Sequence, residues 1–148
     1  MIHYLSKYVK LDDFEYSETA IRLGIKNELG AIELANAIQL CEDFFDPIYE
    51  KLGYIHITSG YRCPELNAKI GGSKSSAHMT GNAVDFVFPN RDLKSCFNEI
   101  VDSGLKFDQL IMEFNSWIHL GRADKPRGQV LIAGRVNGST VYTFIEHL

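Results

Sequence analysis

One segment near the middle of the chain constrains both fold and chemistry: Ser76-Ala-His78-Met-Thr-Gly81-Asn-Ala83-Val-Asp85-Phe. A histidine leaves a loop there, and an aspartate follows within an apolar strand pattern. An ionised carboxylate in Ala-Val-Asp-Phe-Val-Phe costs several kcal/mol of desolvation unless a cation or hydrogen bonds compensate it. A metal ion would compensate Asp85 directly, so the segment points to a metal site.

A zinc site would also account for a second histidine farther along the chain. Zinc binds imidazole nitrogen and carboxylate oxygen at ~2.0 to 2.2 Å, and a catalytic site uses three protein ligands and leaves the fourth position to water. His78 and Asp85 supply two ligands, and His119 is the third candidate because it lies in the strand pattern Trp-Ile-His-Leu-Gly. Taken singly, such residues are usually satisfied core residues, surface residues or turn caps. Taken together, these three favour one Zn²⁺ ion.

Two further residues are candidates for catalysis. Glu113 lies six residues before His119, so both share one face of a continuous strand, whereas a hairpin centred on Ser116 would place them opposite each other. Either geometry aims Glu113 at the open metal position. Arg62 follows Thr-Ser-Gly-Tyr at a strand exit, where it is placed to pair with a substrate carboxylate or a developing oxyanion. A surface arginine lying over Tyr61 is an equal alternative.

The hydrophobic periodicity predicts helices first and strands later. Helical spacing and end signals predict a short helix from about residue 17 to 24, a main helix over 31–52 bent at Pro47, and a helix over 93–103. Alternation predicts strands over 54–58, 83–88, 109–114, 117–122, 129–135 and 140–145, with Asn137-Gly138 as a hairpin turn. A Gly/Ser-rich loop with little capacity for a core separates the first two strands. This order predicts an α+β fold around a mainly antiparallel sheet.

Composition narrows the protein class. A chain of 148 residues with 45% hydrophobic content fits one domain over residues 1–148. The net charge of -4 and the lack of a Lys/Arg-dense run argue against a nucleic-acid partner. Three dispersed cysteines without a C-x-x-C pair indicate reduced thiols, and no stretch approaches the ~18 to 20 apolar residues of a membrane span. We expect a monomer, made in the cytoplasm without a signal peptide.

At these residues the sequence resembles the D-Ala-D-Ala metallopeptidases, which share a fold with the hedgehog signalling domain and include phage endolysins and vancomycin-resistance dipeptidases. The pattern Ser-x-His-x-x-Gly-x-Ala-x-Asp is matched in full over 76–85. The similarity extends to Ser-Glu-Thr-Ala-x-Arg-Leu-Gly-Ile at 17–25, Ile-Thr-Ser-Gly-Tyr-Arg at 57–62, Leu-Asn-x-x-x-Gly-Gly-Ser at 66–73 and Phe-Asp-Gln-Leu-Ile-x-Glu at 107–113. It covers most of the chain.

The resemblance implies a hedgehog/DD-peptidase-like fold with one zinc ion on His78, Asp85 and His119. It also implies a base at Glu113 and a substrate-clamping or carbonyl-polarising role for Arg62. One position departs from the pattern. Many members carry the acidic base three residues before the last histidine, where this chain has Ser116, so Glu113 resembles the hedgehog-type and related carboxypeptidase-like variant.

The implied substrate is the peptide stem of peptidoglycan, cut by a D-Ala-D-Ala carboxypeptidase or by an endolysin-type endopeptidase. The compact chain is similar to phage or prophage products that act on the bacterial cell wall after release. A non-catalytic zinc-containing binding or virion structural module stays open as the alternative, because hedgehog domains keep the site and serve as binding modules.

Overall fold

The computed structural model describes residues 3–148. The strands are β1 (His56–Ser59), β2 (Ala83–Val87), β3 (Gln109–Glu113), β4 (Trp117–Gly121), β5 (Gln129–Val136) and β6 (Ser139–Phe144). The α-helices are α1 (Leu11–Glu15), α2 (Glu18–Leu23), α3 (Ala31–Leu40), α4 (Asp46–Leu52), α5 (Pro64–Lys69) and α6 (Leu93–Val101). A π-helical turn (Cys41–Phe45) joins α3 to α4, and a 3-10 helix (Ala77–Thr80) precedes β2.

The strands form one six-stranded sheet in the order β1-β2-β4-β3-β5-β6. All neighbouring strands are antiparallel except β3 and β5, which pair in parallel. The β5–β6 hairpin turns at Asn137 and Gly138, whose φ angles of 51° and 81° match the predicted two-residue turn. The predictions of an α+β fold and a mainly antiparallel sheet are therefore confirmed.

The predicted ends of α2 are confirmed by its caps. The hydroxyl of Ser17 accepts a hydrogen bond from the backbone N–H of Ala20 at 3.2 Å, and Gly24 ends the helix in the left-handed region.

No helix among residues 3–148 is long and apolar enough to cross a membrane.

The predicted main helix over 31–52 is continuous but contains an irregularity before Pro47. In the π-helical turn the backbone N–H of Asp46 donates to the carbonyl of Cys41, five residues back. Proline lacks an N–H and its ring clashes with the carbonyl four residues earlier in a regular α-helix. The wider turn accommodates Pro47 near the start of α4 without ending the helix.

The segment between β1 and β2 is more structured than the predicted loop. It contains α5, which begins at Pro64, and the 3-10 helix that carries His78. Leu66 is only 1% exposed, so the segment contributes an apolar side chain to the interior. Pro64 at the first helical position was the available signal for α5, because its fixed φ favours a helix start.

The two faces of the sheet have different roles. One face packs into the main core through alternate residues of the central strands: Val84, Phe86, Leu110, Met112, Ile118 and Leu120. The intervening residues, including Asp85, Glu113 and His119, lie on the other face because side chains alternate along a strand. We call this second face the site face.

Gly81 ends the 3-10 helix and packs directly against α3. Its φ is +78°, and an added Cβ would lie 2.3 Å from the backbone oxygen of Glu33. Gly24 has a similar φ of +68°, but nothing lies within 4 Å of its Cβ position.

We therefore expect Gly81→Ala to lower the free energy of unfolding by about 3 kcal/mol and Gly24→Ala by about 1 kcal/mol, because only the first adds a backbone clash to the φ cost. Chemical denaturation of both variants measures the difference. Equal losses would contradict the close packing of Gly81 on α3.

Candidate metal centre

The structure brings together the three residues predicted as metal ligands. Asp85 on β2 is the register partner of His119 on β4, and the 3-10 helix places His78 over them. Asp85 Oδ1 lies 3.2 Å from His78 Nε2 and 2.8 Å from His119 Nδ1. One ligand atom from each residue lies within 4.8 Å of the others, so this cluster could hold a metal ion.

Backbone contacts fix the orientation of His78. The carbonyl of Gly60 accepts a hydrogen bond from His78 Nδ1 at 2.6 Å, which directs Nε2 at Asp85. The hydroxyl of Ser76 accepts from the backbone N–H of His78 at 3.2 Å and caps the short helix. A ring nitrogen held by a carbonyl is the usual outer-shell support for a metal-ligating histidine.

Burial and charge shape the protonation of the three residues. Burial lowers the pKa of His78 and outweighs the attraction of Asp85. Burial alone would raise the pKa of Asp85. The charge and hydrogen bonds of the two histidines outweigh burial and hold the pKa of Asp85 well below its usual range. Burial lowers the pKa of His119, yet its hydrogen bond to Asp85 dominates and the net pKa is raised. A metal ion in the cluster would take the place of the histidine protons beside Asp85, because a ligating imidazole nitrogen carries no proton.

Glu113 lies on the site face beside the cluster, with Oε1 3.9 Å from His119 Nδ1. Glu113 and His119 share a face, but they lie on the two strands of a hairpin rather than on one continuous strand, and the hairpin is not centred on Ser116 as the alternative assumed. The hairpin pairs Glu113 with Trp117 and Ile111 with His119, so its centre falls at Asn115 and the two residues are diagonal neighbours. Burial and the charge of Asp85 raise the pKa of Glu113, which makes it a stronger base.

Arg62 is half-buried and lies beside the same site. Its Nη2 donates to the hydroxyl of Ser76 at 3.1 Å, and its backbone N–H donates to the carbonyl of His78 at 3.2 Å. Burial lowers the pKa of Arg62, and its buried Nε has no hydrogen-bond partner among residues 3–148. This half-buried position favours a role at the site over the surface alternative at Tyr61, and the role of Arg62 stays a prediction.

A cavity of about 430 Å³ adjoins the cluster and is lined by Asp85, Arg62, Trp117 and the start of α2. The indole N–H of Trp117 is near enough to Glu113 to lower the pKa of that carboxyl, but its geometry is not that of a hydrogen bond. Arg62 and Trp117, which both line this cavity, carry two of the three buried polar atoms without partners in the described residues, Arg62 Nε and Trp117 Nε1.

The donor set fits zinc. Two imidazole nitrogens and one carboxylate oxygen are ligands of the type that zinc takes in catalytic sites, which leave one position open. The cysteines, Cys41, Cys63 and Cys96, are free thiols and none belongs to the cluster.

Two supporting groups had no signal in the sequence. The carbonyl of Gly60 orients His78, and a backbone acceptor cannot be identified from residue type. Asn27 is buried and joins three segments: it donates to the carbonyls of Glu15 and Tyr61 and accepts from the backbone N–H of Cys63 at 2.7 Å. These bonds hold the backbone on both sides of Arg62.

Comparison with known proteins identifies the class. The model of the peptidase M15 family matches residues 7–121, which include all five candidate site residues. The chain therefore belongs to the peptidase M15 family, and it is a metallopeptidase by family with a His-Asp-His cluster suited to a metal. None of the curated proteins compared with the chain matches it.

Proposed function

We propose that the chain is a zinc peptidase that hydrolyses the peptide stems of bacterial peptidoglycan, with one Zn²⁺ held by His78, Asp85 and His119. The observation that carries this proposal is the buried His-Asp-His cluster with Glu113 3.9 Å from His119 beside a cavity. Bound zinc would polarise the peptide carbonyl and lower the pKa of a water molecule towards ~7.

Glu113 is the general base in this proposal. Its carboxylate accepts a proton from the attacking water and passes it to the amine of the leaving fragment as the C–N bond breaks. Its position beside His119 and its raised pKa both support this role. A raised pKa brings a carboxylate nearer to the operating pH, which favours transfer in both directions.

Arg62 binds an oxygen of the substrate. Its side chain lines the cavity beside Asp85 and Trp117, where the guanidinium can donate to a carbonyl or carboxylate oxygen of the substrate. Donors that face developing negative charge stabilise the transition state, and a desolvated guanidinium is effective because it is partly buried.

The peptidoglycan substrate rests on the resemblance to the D-Ala-D-Ala metallopeptidases. Both a carboxypeptidase that removes terminal D-Ala and an endopeptidase within the stem or cross-bridge are compatible with the cluster. The phage or prophage origin, with action on the cell wall after release, belongs to the same proposal.

Digestion of purified peptidoglycan tests the function. We expect the zinc-loaded protein to release peptides that mass spectrometry detects, and we expect removal of the metal with a chelator to abolish the release. Readdition of zinc should restore it, because the ligands are preorganised by the fold. An intact wall after incubation with protein that holds one zinc per chain would contradict the enzyme and favour a binding module.

A further inference from the structure

The site face continues beyond the residues that the family model matches. β5 and β6 follow residue 121 and extend the sheet on the side away from β1. The pairing register runs from Glu113 to Ala133 and then to Tyr142, so the three side chains lie in one row on the site face. Tyr142 is therefore aligned with the candidate base across two strand spacings.

Glu113 and Tyr142 are separated in this row by a residue with a small side chain. Strands lie about 4.8 Å apart, which places the backbones of Glu113 and Tyr142 about 10 Å apart. Ala133 between them has only a methyl group, and Ala133 with Ile111 and Leu131 forms a small buried cluster separate from the main core. The site face therefore has a packed apolar support between the catalytic carboxylate and Tyr142.

The exposed side chain of Tyr142 is available to contact a ligand. It is 55% exposed, and no side-chain hydrogen bond from it occurs within residues 3–148. Burial raises the pKa of its phenol, and the charges of Glu113 and Asp85 raise it further. An aromatic ring with a free hydroxyl suits contact with both apolar and polar parts of a peptide.

We propose that Tyr142 is a specificity-determining residue that binds the substrate peptide about three residues from the scissile bond, on the side of the site opposite Arg62. This inference rests on the proposed peptidase function. An extended peptide advances about 3.3 Å per residue, so about three residues cover the 10 Å between Glu113 and Tyr142. Arg62 follows β1 at the other edge of the sheet, so the peptide crosses the site face between the two residues.

The substrate class follows from this span. A peptide with three or more residues on the Tyr142 side gains a contact that a dipeptide cannot reach. The phenol donates to or accepts from a peptide group, and the ring packs on a side chain of the substrate. Such a contact is present in both the bound substrate and the transition state, so it lowers KM and leaves kcat unchanged.

A peptide length series tests the inference. Once digestion has identified the scissile bond, synthetic stem peptides containing it are extended by one to five residues, in one series at the N-terminus and in another at the C-terminus. In one of the two series, we expect kcat/KM to rise with each added residue up to about three residues and to stay constant for longer peptides. Tyr142→Ala should raise KM about tenfold for the long peptides of that series and leave the shortest unchanged.

Matched variants and a binding measurement complete the design. Val141 directly precedes Tyr142 on β6, lies on the opposite face and is 42% exposed, so Val141→Ala should keep the wild-type length dependence. Tyr142→Phe separates the hydroxyl from the ring. Calorimetry with the same peptides and metal-free protein should show about tenfold weaker binding of long peptides to Tyr142→Ala, independently of turnover.

The outcomes separate this inference from the proposed function. If the wild type cleaves the peptides and Tyr142→Ala shows the same dependence of kcat/KM on peptide length, the role of Tyr142 is overturned and the peptidase function stands. Absence of wild-type cleavage would overturn the peptidase, and the Tyr142 subsite with it. β6 is an edge strand that a second copy could pair with. Sedimentation could instead show a wild-type dimer that Tyr142→Ala dissociates. If that variant also lost the same factor in kcat/KM at all peptide lengths, Tyr142 would be assigned to self-association.

Discussion

Glu113→Gln is expected to retain one zinc ion per chain and to lose about a thousandfold or more in kcat, since general-base catalysis commonly contributes ~10² to 10⁴. The amide has the shape of the carboxylate but cannot accept a proton at neutral pH. Glu113 is not one of the three clustered ligand residues, so its loss should leave metal binding intact. Peptide release followed by mass spectrometry measures turnover, and elemental analysis of the dialysed protein measures zinc.

A surface glutamate provides the control for this charge change. Glu50 on α4 forms an exposed ion pair with Lys7, and Glu50→Gln should therefore keep both turnover and zinc. Turnover near the wild-type level in Glu113→Gln would show that Glu113 is not the base. Loss of zinc in the same variant would instead show that Glu113 contributes to holding the metal.

His78→Ala is expected to abolish zinc retention and to destabilise the fold. His78 is 2% exposed, and its ring bonds to the Gly60 carbonyl and to Asp85, so truncation leaves a cavity, an unpaired carbonyl and a less compensated carboxylate. We expect the free energy of unfolding of the metal-free protein to fall by about 3 kcal/mol. Denaturant unfolding and elemental analysis measure the two effects.

His56→Ala is the matched histidine control. His56 lies on β1 with an exposed side chain, so its removal should change neither zinc content nor stability by more than about 0.5 kcal/mol. Stoichiometric zinc in His78→Ala after dialysis would contradict the assignment of His78 as a ligand.

Much of the fold could be predicted because its elements carry local signals. Ser17 and Gly24 bound α2, Asn137-Gly138 specifies a hairpin turn, and alternation identifies the strands. The parallel pairing of β3 with β5 could not be predicted, because the strand that joins a sheet edge is chosen by tertiary packing. The π-helical turn also lacks a pattern of its own, although Pro47 marks its neighbourhood.

The residues of the candidate site, like the fold, could be predicted only in part from the sequence. Buried polar residues in apolar strands identified Asp85 and His119 as unusual, since a charge there needs a partner. The position of Glu113 depended on the hairpin register, which is set by the turn conformation of Phe114 and Asn115 at φ 53° and 54°. Residue types do not reveal that register. Tyr142 gave no signal either, because its relation to Glu113 exists only through the pairing across β5.

The central claim is that His78, Asp85 and His119 hold one catalytic zinc ion. Anomalous diffraction from crystals of the zinc-loaded protein, collected on both sides of the zinc absorption edge, tests it most directly. The account predicts one strong peak bonded to His78 Nε2, Asp85 and His119 Nδ1 at ~2.0 to 2.2 Å, with an open position towards the cavity beside Arg62. A peak elsewhere, or no peak within this cluster, would contradict it.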